Sequence, residues 1–156
     1  MPIIELETKV KATKEVVFDL SRNITLHEIS TGSSNEKAIS GVTSGLINLN
    51  ETVTWRAKHL GIYQKMTVKI TAMDFPKSFV DEMQKGIFKG FCHTHTFVKD
   101  GEFTIMDDHF DYSSPLGFLG KFADFLFLKK YMMRFLKGRN EVIKRYAEDK
   151  RLRNSF

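Results

Sequence analysis

Apolar and polar residues alternate with a period of two over most of this chain, and the period lengthens towards that of a helix in only two regions. Ile4, Leu6, Thr8 and Val10 alternate with Ile3, Glu5, Glu7 and Lys9, which predicts a first strand with one wet face. Thr13 stands ahead of Glu15, Val16, Val17, Phe18 and Leu20, the pattern of a short helix capped by a threonine hydroxyl. A second helical piece is expected over Thr25–Ser30, closed by the polar run Thr31–Asn35. From Glu36 to Tyr112 the pattern is strand and turn throughout.

Within that region two turns set the register. A turn at Leu60-Gly61 would pair His59 with Ile62 and Trp55 with Met66, so that the face of Val53, Trp55, Ala57 and His59 meets that of Ile62, Gln64, Met66, Val68 and Ile70. Asp74-Phe75-Pro76-Lys77 is the next turn and Phe79–Met83 the next strand. Asp100-Gly101 is the strongest hairpin signal. As a two-residue loop it pairs Lys99 with Glu102, Phe97 with Thr104, His95 with Met106, His93 with Asp108 and Phe91 with Phe110. Met106, Asp108, Phe110 and Tyr112 form the more apolar face, so they are expected inward, with Phe91, His93, His95 and Phe97 opposite them. The turns flanking Asp81 and Glu82 imply opposite faces for these two acids unless a bulge intervenes.

The second helical region is the C-terminal one. Ser114 can cap and Pro115 fits a first helical turn. Phe118, Phe122, Phe125, Met132, Phe135 and Ile143 then recur at helical intervals along a run that reaches Arg153. The predicted class is α+β: a curved antiparallel sheet of about seven strands wrapped around a long C-terminal helix, with two short helices after the first strand. The chain of 156 residues fits one domain, residues 1–156, with 150–156 a frayed basic tail.

Charge changes this picture little. The net charge is +5, and from Leu116 onward eleven Lys or Arg face four acids. Such a helix can attract phosphate or anionic lipid, but a solvated outer face is the preferred reading, and no nucleic-acid motif accompanies it. Lys121, Asp124, Lys129, Lys130 and Arg134 exclude Leu116–Leu136 as a membrane span. The lone Cys92 excludes an internal disulfide, and no signal peptide is read, so a cytoplasmic location is expected.

The candidate chemistry lies in polar groups on an otherwise apolar inner face. His59, His93, His95 and Asp108 sit among Trp55, Met66, Phe91, Phe97, Met106 and Phe110. A buried imidazole or carboxylate is costly unless paired, and a His93–Asp108 pair would meet that need while leaving one ring nitrogen for general base catalysis. A structural pair bracing two strands is preferred to a catalytic one. A metal site would use His93 and His95, two residues apart on one strand face, with His59 as third ligand. The strands carrying them are not expected to be neighbours, so no metal is assigned. No cofactor motif occurs: there is no Gly-rich phosphate loop, Cys-x-x-Cys or nucleophile elbow.

The order of elements, with Val53–His59, Phe79–Met83, Gly86–Phe88, His93–Phe97 and Tyr112–Gly117, resembles the START-like, or helix-grip, superfamily. Within it the chain is similar to bacterial SRPBCC proteins labelled cyclase/dehydrase-like. Asn50-Glu51 stands where such proteins often have Gly-Asp, a mild departure because asparagine tolerates a left-handed turn. The resemblance implies a cavity between sheet and long helix that holds a small hydrophobic or amphipathic molecule. The expected lining is Trp55, His59, Met66, Phe91, His93, His95, Phe97, Met106, Asp108, Phe110, Phe122, Phe125 and Met132. A binding protein is the preferred reading. The alternatives are a cyclase- or dehydratase-type enzyme using His93 and Asp108, and a peripheral membrane protein using the basic helix.

Overall fold

The computed structural model describes residues 2–59, 61–114, 119, 122 and 127–156. Strand β1 (Ile3–Val10) leads into α1 (Lys14–Ser21) and α2 (Ile24–Ser30), and a single 3-10 turn (Gly32–Ser34) follows. Six further strands come in sequence: β2 (Lys37–Gly41), β3 (Thr52–His59), β4 (Ile62–Asp74), β5 (Ser78–Lys85), β6 (Gly90–Asp100) and β7 (Phe103–Ser113). The chain closes with helices α3 (Lys129–Glu148) and α4 (Lys150–Arg153). The seven strands form one antiparallel sheet in the order β1-β7-β6-β5-β4-β3-β2.

Local chemistry sets the helix starts. The Thr13 hydroxyl accepts from the Val16 amide at 3.4 Å, as the threonine cap requires. Asn23 caps α2 in the same way, accepting from Leu26 at 3.0 Å, so that helix begins at Ile24, one residue before the expected start. At the other end, the helix expected to run to Arg153 stops at Glu148. Asp149 leaves helical geometry and its carboxylate accepts from the Arg151 amide at 2.9 Å, starting α4 as a separate turn. Within residues 150–156, Arg153 donates to the Ala147 carbonyl at 3.1 Å. The expected Pro115 start of the long helix, with Phe118 and Phe125, lies outside the described residues.

The β3–β4 register is the expected one, with His59 opposite Ile62 and Trp55 opposite Met66. Asn50, ahead of β3, takes the left-handed conformation with φ 67°. The β6–β7 register differs from expectation by two residues. Asp100 pairs with Phe103, so the two loop residues are Gly101 and Glu102, with Gly101 at φ 61°. Glycine first in the loop is the pattern of a II′ turn, whereas Asp-Gly read as the loop pair presumes I′. A shift of two preserves every face and changes every partner. His95 therefore stands opposite Asp108, His93 opposite Phe110, Phe97 opposite Met106 and Phe91 opposite Tyr112. The open question at Asp81 is answered by a bulge between Ile70 and Ala72 of β4. It lets both the Ile70–Asp81 and the Met73–Phe79 pairs exist, and Asp81 faces inward beside His93.

Two apolar clusters fill the inner side. The larger packs Phe18, Val17, Leu26, Phe79, Phe97 and Met106 with Ile143 and Ala147 of α3. The smaller gathers Ile4, Phe110, Tyr112 and Leu136. The short helices thus plug one end of the curved sheet, and α3 crosses the rest. The stripe that α3 buries runs Leu136, Arg139, Asn140, Ile143, Ala147, and two of its five residues are polar. Among the described residues, no helix is long and apolar enough to cross a membrane.

Candidate functional site

Between the sheet and α3 lies a cavity of about 180 Å³. Its apolar wall includes Trp55, Met66, Val68, Ile70, Phe91 and Phe110 from the strands, and Leu128, Met132, Phe135 and Leu136 from the α3 side. Eight of the expected lining residues are here: Trp55, His59, Met66, Phe91, His93, His95, Phe110 and Met132. Four are not. Phe97 and Met106 are fully buried because α1 covers that end of the hairpin, with the Phe18 and Phe97 rings 5.2 Å apart and the Ser21 hydroxyl 3.4 Å from the Met106 sulfur. Asp108 lies behind the two histidines, covered by Asn140 of α3. Phe122 is 62% exposed and does not line the cavity. Phe125 lies outside the described residues.

The cavity wall carries two polar clusters. The first is built on β5, β6 and β7 and braced by α3. His93 Nε2 lies 2.9 Å from Asp108 Oδ1, and His95 Nε2 lies 2.8 Å from Asp81 Oδ1. An ionised carboxylate only accepts, so the His93 proton of this bond sits on Nε2 and Nδ1 keeps a lone pair. That Nδ1 is 3.9 Å from Asp81 Oδ1. His95 Nδ1 comes within 2.8 Å of Asp108 Oδ1, but the approach lacks hydrogen-bond direction, and the nitrogen has no aligned partner among the described residues. Asn140 donates to Asp108 Oδ2 at 2.6 Å. Arg139 Nη1 stands 3.8 Å from Oδ1 and donates to the Asn140 amide oxygen at 3.1 Å, while Nη2 donates to the Ser21 carbonyl at 2.9 Å. Of the polar pair in the α3 stripe, Asn140 thus holds Asp108, and Arg139 braces Asn140 and ties α3 to the end of α1.

The electrostatics follow from this packing. Burial raises the Asp108 pKa, but the His93 hydrogen bond and the close approach of both His93 and His95 outweigh it and hold the carboxyl well below the usual range. Asp81 is lowered for the same reasons, its burial outweighed by His93 and His95. The two histidines part company. Burial, together with the neighbouring His95, lowers His93 despite both carboxylates. For His95 burial acts downward too, yet its position between Asp108 and Asp81 raises it. Two adjacent imidazoles on the cavity wall, shifted in opposite directions and each bound to a carboxylate, are an arrangement suited to moving a proton.

The second cluster is His27, Glu36, His59 and Tyr131, all on the cavity wall. Glu36 Oε2 lies 2.6 Å from His27 Nε2, and Oε1 lies 3.5 Å from His59 Nε2. His59 Nδ1 is 2.7 Å from the Tyr131 hydroxyl, and the His27 ring lies against Trp55 with centroids 4.4 Å apart. Burial would raise Glu36, but His27 and His59 bring its pKa down to about 2.

Sequence reasoning missed Asp81, Glu36, Tyr131, Arg139 and Asn140 in these clusters. For two of them a signal was present, since Tyr131, Phe135 and Arg139 recur at four-residue spacing on one helix face. Glu36 ends a polar loop and carries no such periodicity. The third position near His93 and His95 is taken by Asp81, while His59 belongs to the other cluster.

No protein-family model matches the chain and no curated protein matches it. Solved structures do. TTHA0849 from Thermus thermophilus superposes with a TM-score of 0.72 at 18% identity, over 91% of this chain and 97% of that one. A START superfamily protein from Mycobacterium smegmatis gives 0.71 at 12% identity, over 94% and 97%. The chain has the START-like helix-grip fold. Ginseng major latex-like protein 151 from Panax ginseng shares it, with a TM-score of 0.70 at 16% identity over 95% and 98%. At these identities the likeness establishes the helix grip and leaves the chemistry to the residues of this chain.

Proposed function

We propose that this protein binds a small amphipathic molecule in the cavity between sheet and α3. The observation that carries the reading is an apolar wall that ends in two separate polar clusters, each supplied with its own internal partners. Apolar burial against Trp55, Met66, Phe91, Phe110 and Met132 supplies the affinity, and a hydrogen-bonding group of the ligand meets His93 and Asp81 or His59 and Tyr131. Size limits the choice. A dry cavity of about 150 Å³ holds one benzene ring. At about 180 Å³ this cavity suits a molecule whose buried body is one ring or a short branched chain. Native mass spectrometry of freshly purified protein tests the reading. A co-purified molecule of that size, released on denaturation and absent from a cavity-filled variant, is the expected result. Adducts that are equally abundant in the filled variant would overturn it.

A second reading has its own support. His93 lines the cavity and Asp108 fixes its Nε2 proton, which leaves Nδ1 the lone pair of an oriented general base. A cyclase- or dehydratase-type activity would use His93 as base and the hydrogen-bonded His95–Asp81 pair as the proton donor. If a substrate is found, His93→Gln should lower turnover by about 100- to 10,000-fold with little change in affinity.

A further inference from the structure

The first cluster contains more than an acid–base pair. We propose that Asp81, His93 and His95 form a binding site for a divalent first-row transition-metal ion, of which Zn2+ is the probe, with a further coordination position turned towards the cavity. The site is independent of the identity of the cavity ligand.

Four observations carry it. The first is convergence. One donor atom from each of the three residues lies within 4.8 Å of the other two. Asp81 Oδ1 is 2.8 Å from His95 Nε2 and 3.9 Å from His93 Nδ1. Donors bound at about 2.0–2.2 Å to one tetrahedral ion stand roughly 3.3–3.6 Å apart, a spacing the two observed distances bracket. The local architecture enforces it: His93 and His95 are two apart on β6, and Asp81 is the cross-strand partner of His93 on β5. The second is the support behind the rings. Metal-bound histidines give their other N–H to a carboxylate or carbonyl, as His93 Nε2 does to Asp108 Oδ1 at 2.9 Å, and the same oxygen stands 2.8 Å from His95 Nδ1, though not in hydrogen-bond alignment. An ion on His95 Nε2 would fix the proton on Nδ1, the nitrogen that has no aligned partner among the described residues.

The third observation is charge. Asp81 and Asp108 bring two carboxylates into the interior, and Arg139 is the permanent cation beside them among the described residues. In the metal-binding state, where both imidazoles are neutral, the cluster carries one uncompensated negative charge, which a dication more than balances. The fourth is access. Asp81, His93 and His95 all line the cavity. Three protein donors with a remaining position open to a cavity is the pattern of reactive, not purely structural, zinc sites. The donor set of two imidazoles and one carboxylate favours zinc, iron(II), cobalt or nickel over calcium and magnesium.

The test uses the full chain, stripped with a chelator and dialysed, then titrated with Zn2+ in competition with a chromophoric chelator. One ion per chain is expected, with Co2+ giving visible absorption of a four- or five-coordinate site. Asp81→Asn, His93→Gln and His95→Gln should each weaken binding at least 100-fold, and Asp108→Asn about 10- to 100-fold with the stoichiometry kept. His109→Gln, at an exposed histidine 3.3 Å from Glu5, should change nothing. Circular dichroism in chelator shows which variants are folded, and three conservative ligand substitutions keep the test alive if one is not. Absence of stoichiometric binding by folded wild-type chain would overturn the site and leave an imidazolium–carboxylate network only. Binding that survives in folded Asp81→Asn and His93→Gln would overturn it equally.

Discussion

Asp108→Asn is the most informative single perturbation of this interior. The carboxylate receives Asn140 Nδ2 on Oδ2 at 2.6 Å and His93 Nε2 on Oδ1 at 2.9 Å. An amide has one acceptor and one donor end. Because Asn140 presents a donor, the new carbonyl oxygen must take the Oδ2 place, and the new NH2 must face both rings. His93 can then satisfy it only by presenting a lone pair from Nε2, so its proton moves to Nδ1, 3.9 Å from Asp81 Oδ1. Two effects add in the folded state: a charge-assisted bond becomes a neutral one, and Arg139 loses the anion 3.8 Å away. Hydrogen bonds to charged groups contribute about 1.5–3 kcal/mol, and unpairing a buried charge costs about 3–5 kcal/mol. The replacement amide recovers part of this, so the expected net loss is about 3 kcal/mol. For a chain of this size that lowers Tm by roughly 6–12 °C. Urea denaturation in the presence of chelator measures the loss, and nitrogen-15 NMR of the imidazoles reads the tautomer. A loss below about 0.5 kcal/mol, or His93 keeping its proton on Nε2, would refute the reasoning.

Two further outcomes follow from the same structure. Glu36 titrates near 2 in the folded chain against 4.5 ordinarily, so its ionised form stabilises the fold above pH 4.5, and that contribution, on the order of 3 kcal/mol, is lost as pH falls from 4.5 towards 2. Wild type should therefore exceed Glu36→Gln in urea stability at pH 6, with the gap closing below pH 4.5; a gap independent of pH would contradict the assignment. Phe18, fully buried with its ring 5.2 Å from those of Phe79 and Phe97, should cost about 3–5 kcal/mol when cut to alanine, yet leave the affinity of an apolar cavity probe unchanged while the variant remains folded, because it is not on the cavity wall.

How much of this was legible in the sequence depends on the range of the interaction concerned. Strand alternation, the cap at Thr13 and the turn signal at Leu60-Gly61 are local, and from them the α+β order and the β3–β4 register follow directly. The β6–β7 partners did not, because Asp100-Gly101 fits two loop alignments that differ by two residues and keep the same faces. The face of Asp81 depended on a bulge in β4, which an alternating pattern signals only as a contradiction. The cavity boundary was the least legible feature. Phe97 and Met106 point inward like Phe91 and Phe110, and only the packing of α1 over one end separates core from cavity wall. The polar clusters join residues far apart in sequence, such as Asp108 with Asn140 and His59 with Tyr131, and nothing local announces such pairs.

The central claim is that the space under α3 is a receptacle for an amphipathic molecule, and filling it tests that claim most directly. Val68→Phe and Ala57→Leu each place added bulk on the wall of a cavity of about 180 Å³, at positions already buried. An apolar fluorescent probe should bind wild type saturably, one per chain, and lose at least 10-fold in affinity in both variants while circular dichroism shows the fold intact. Undiminished binding in the folded, filled variants, or no saturable binding by wild type, would contradict it.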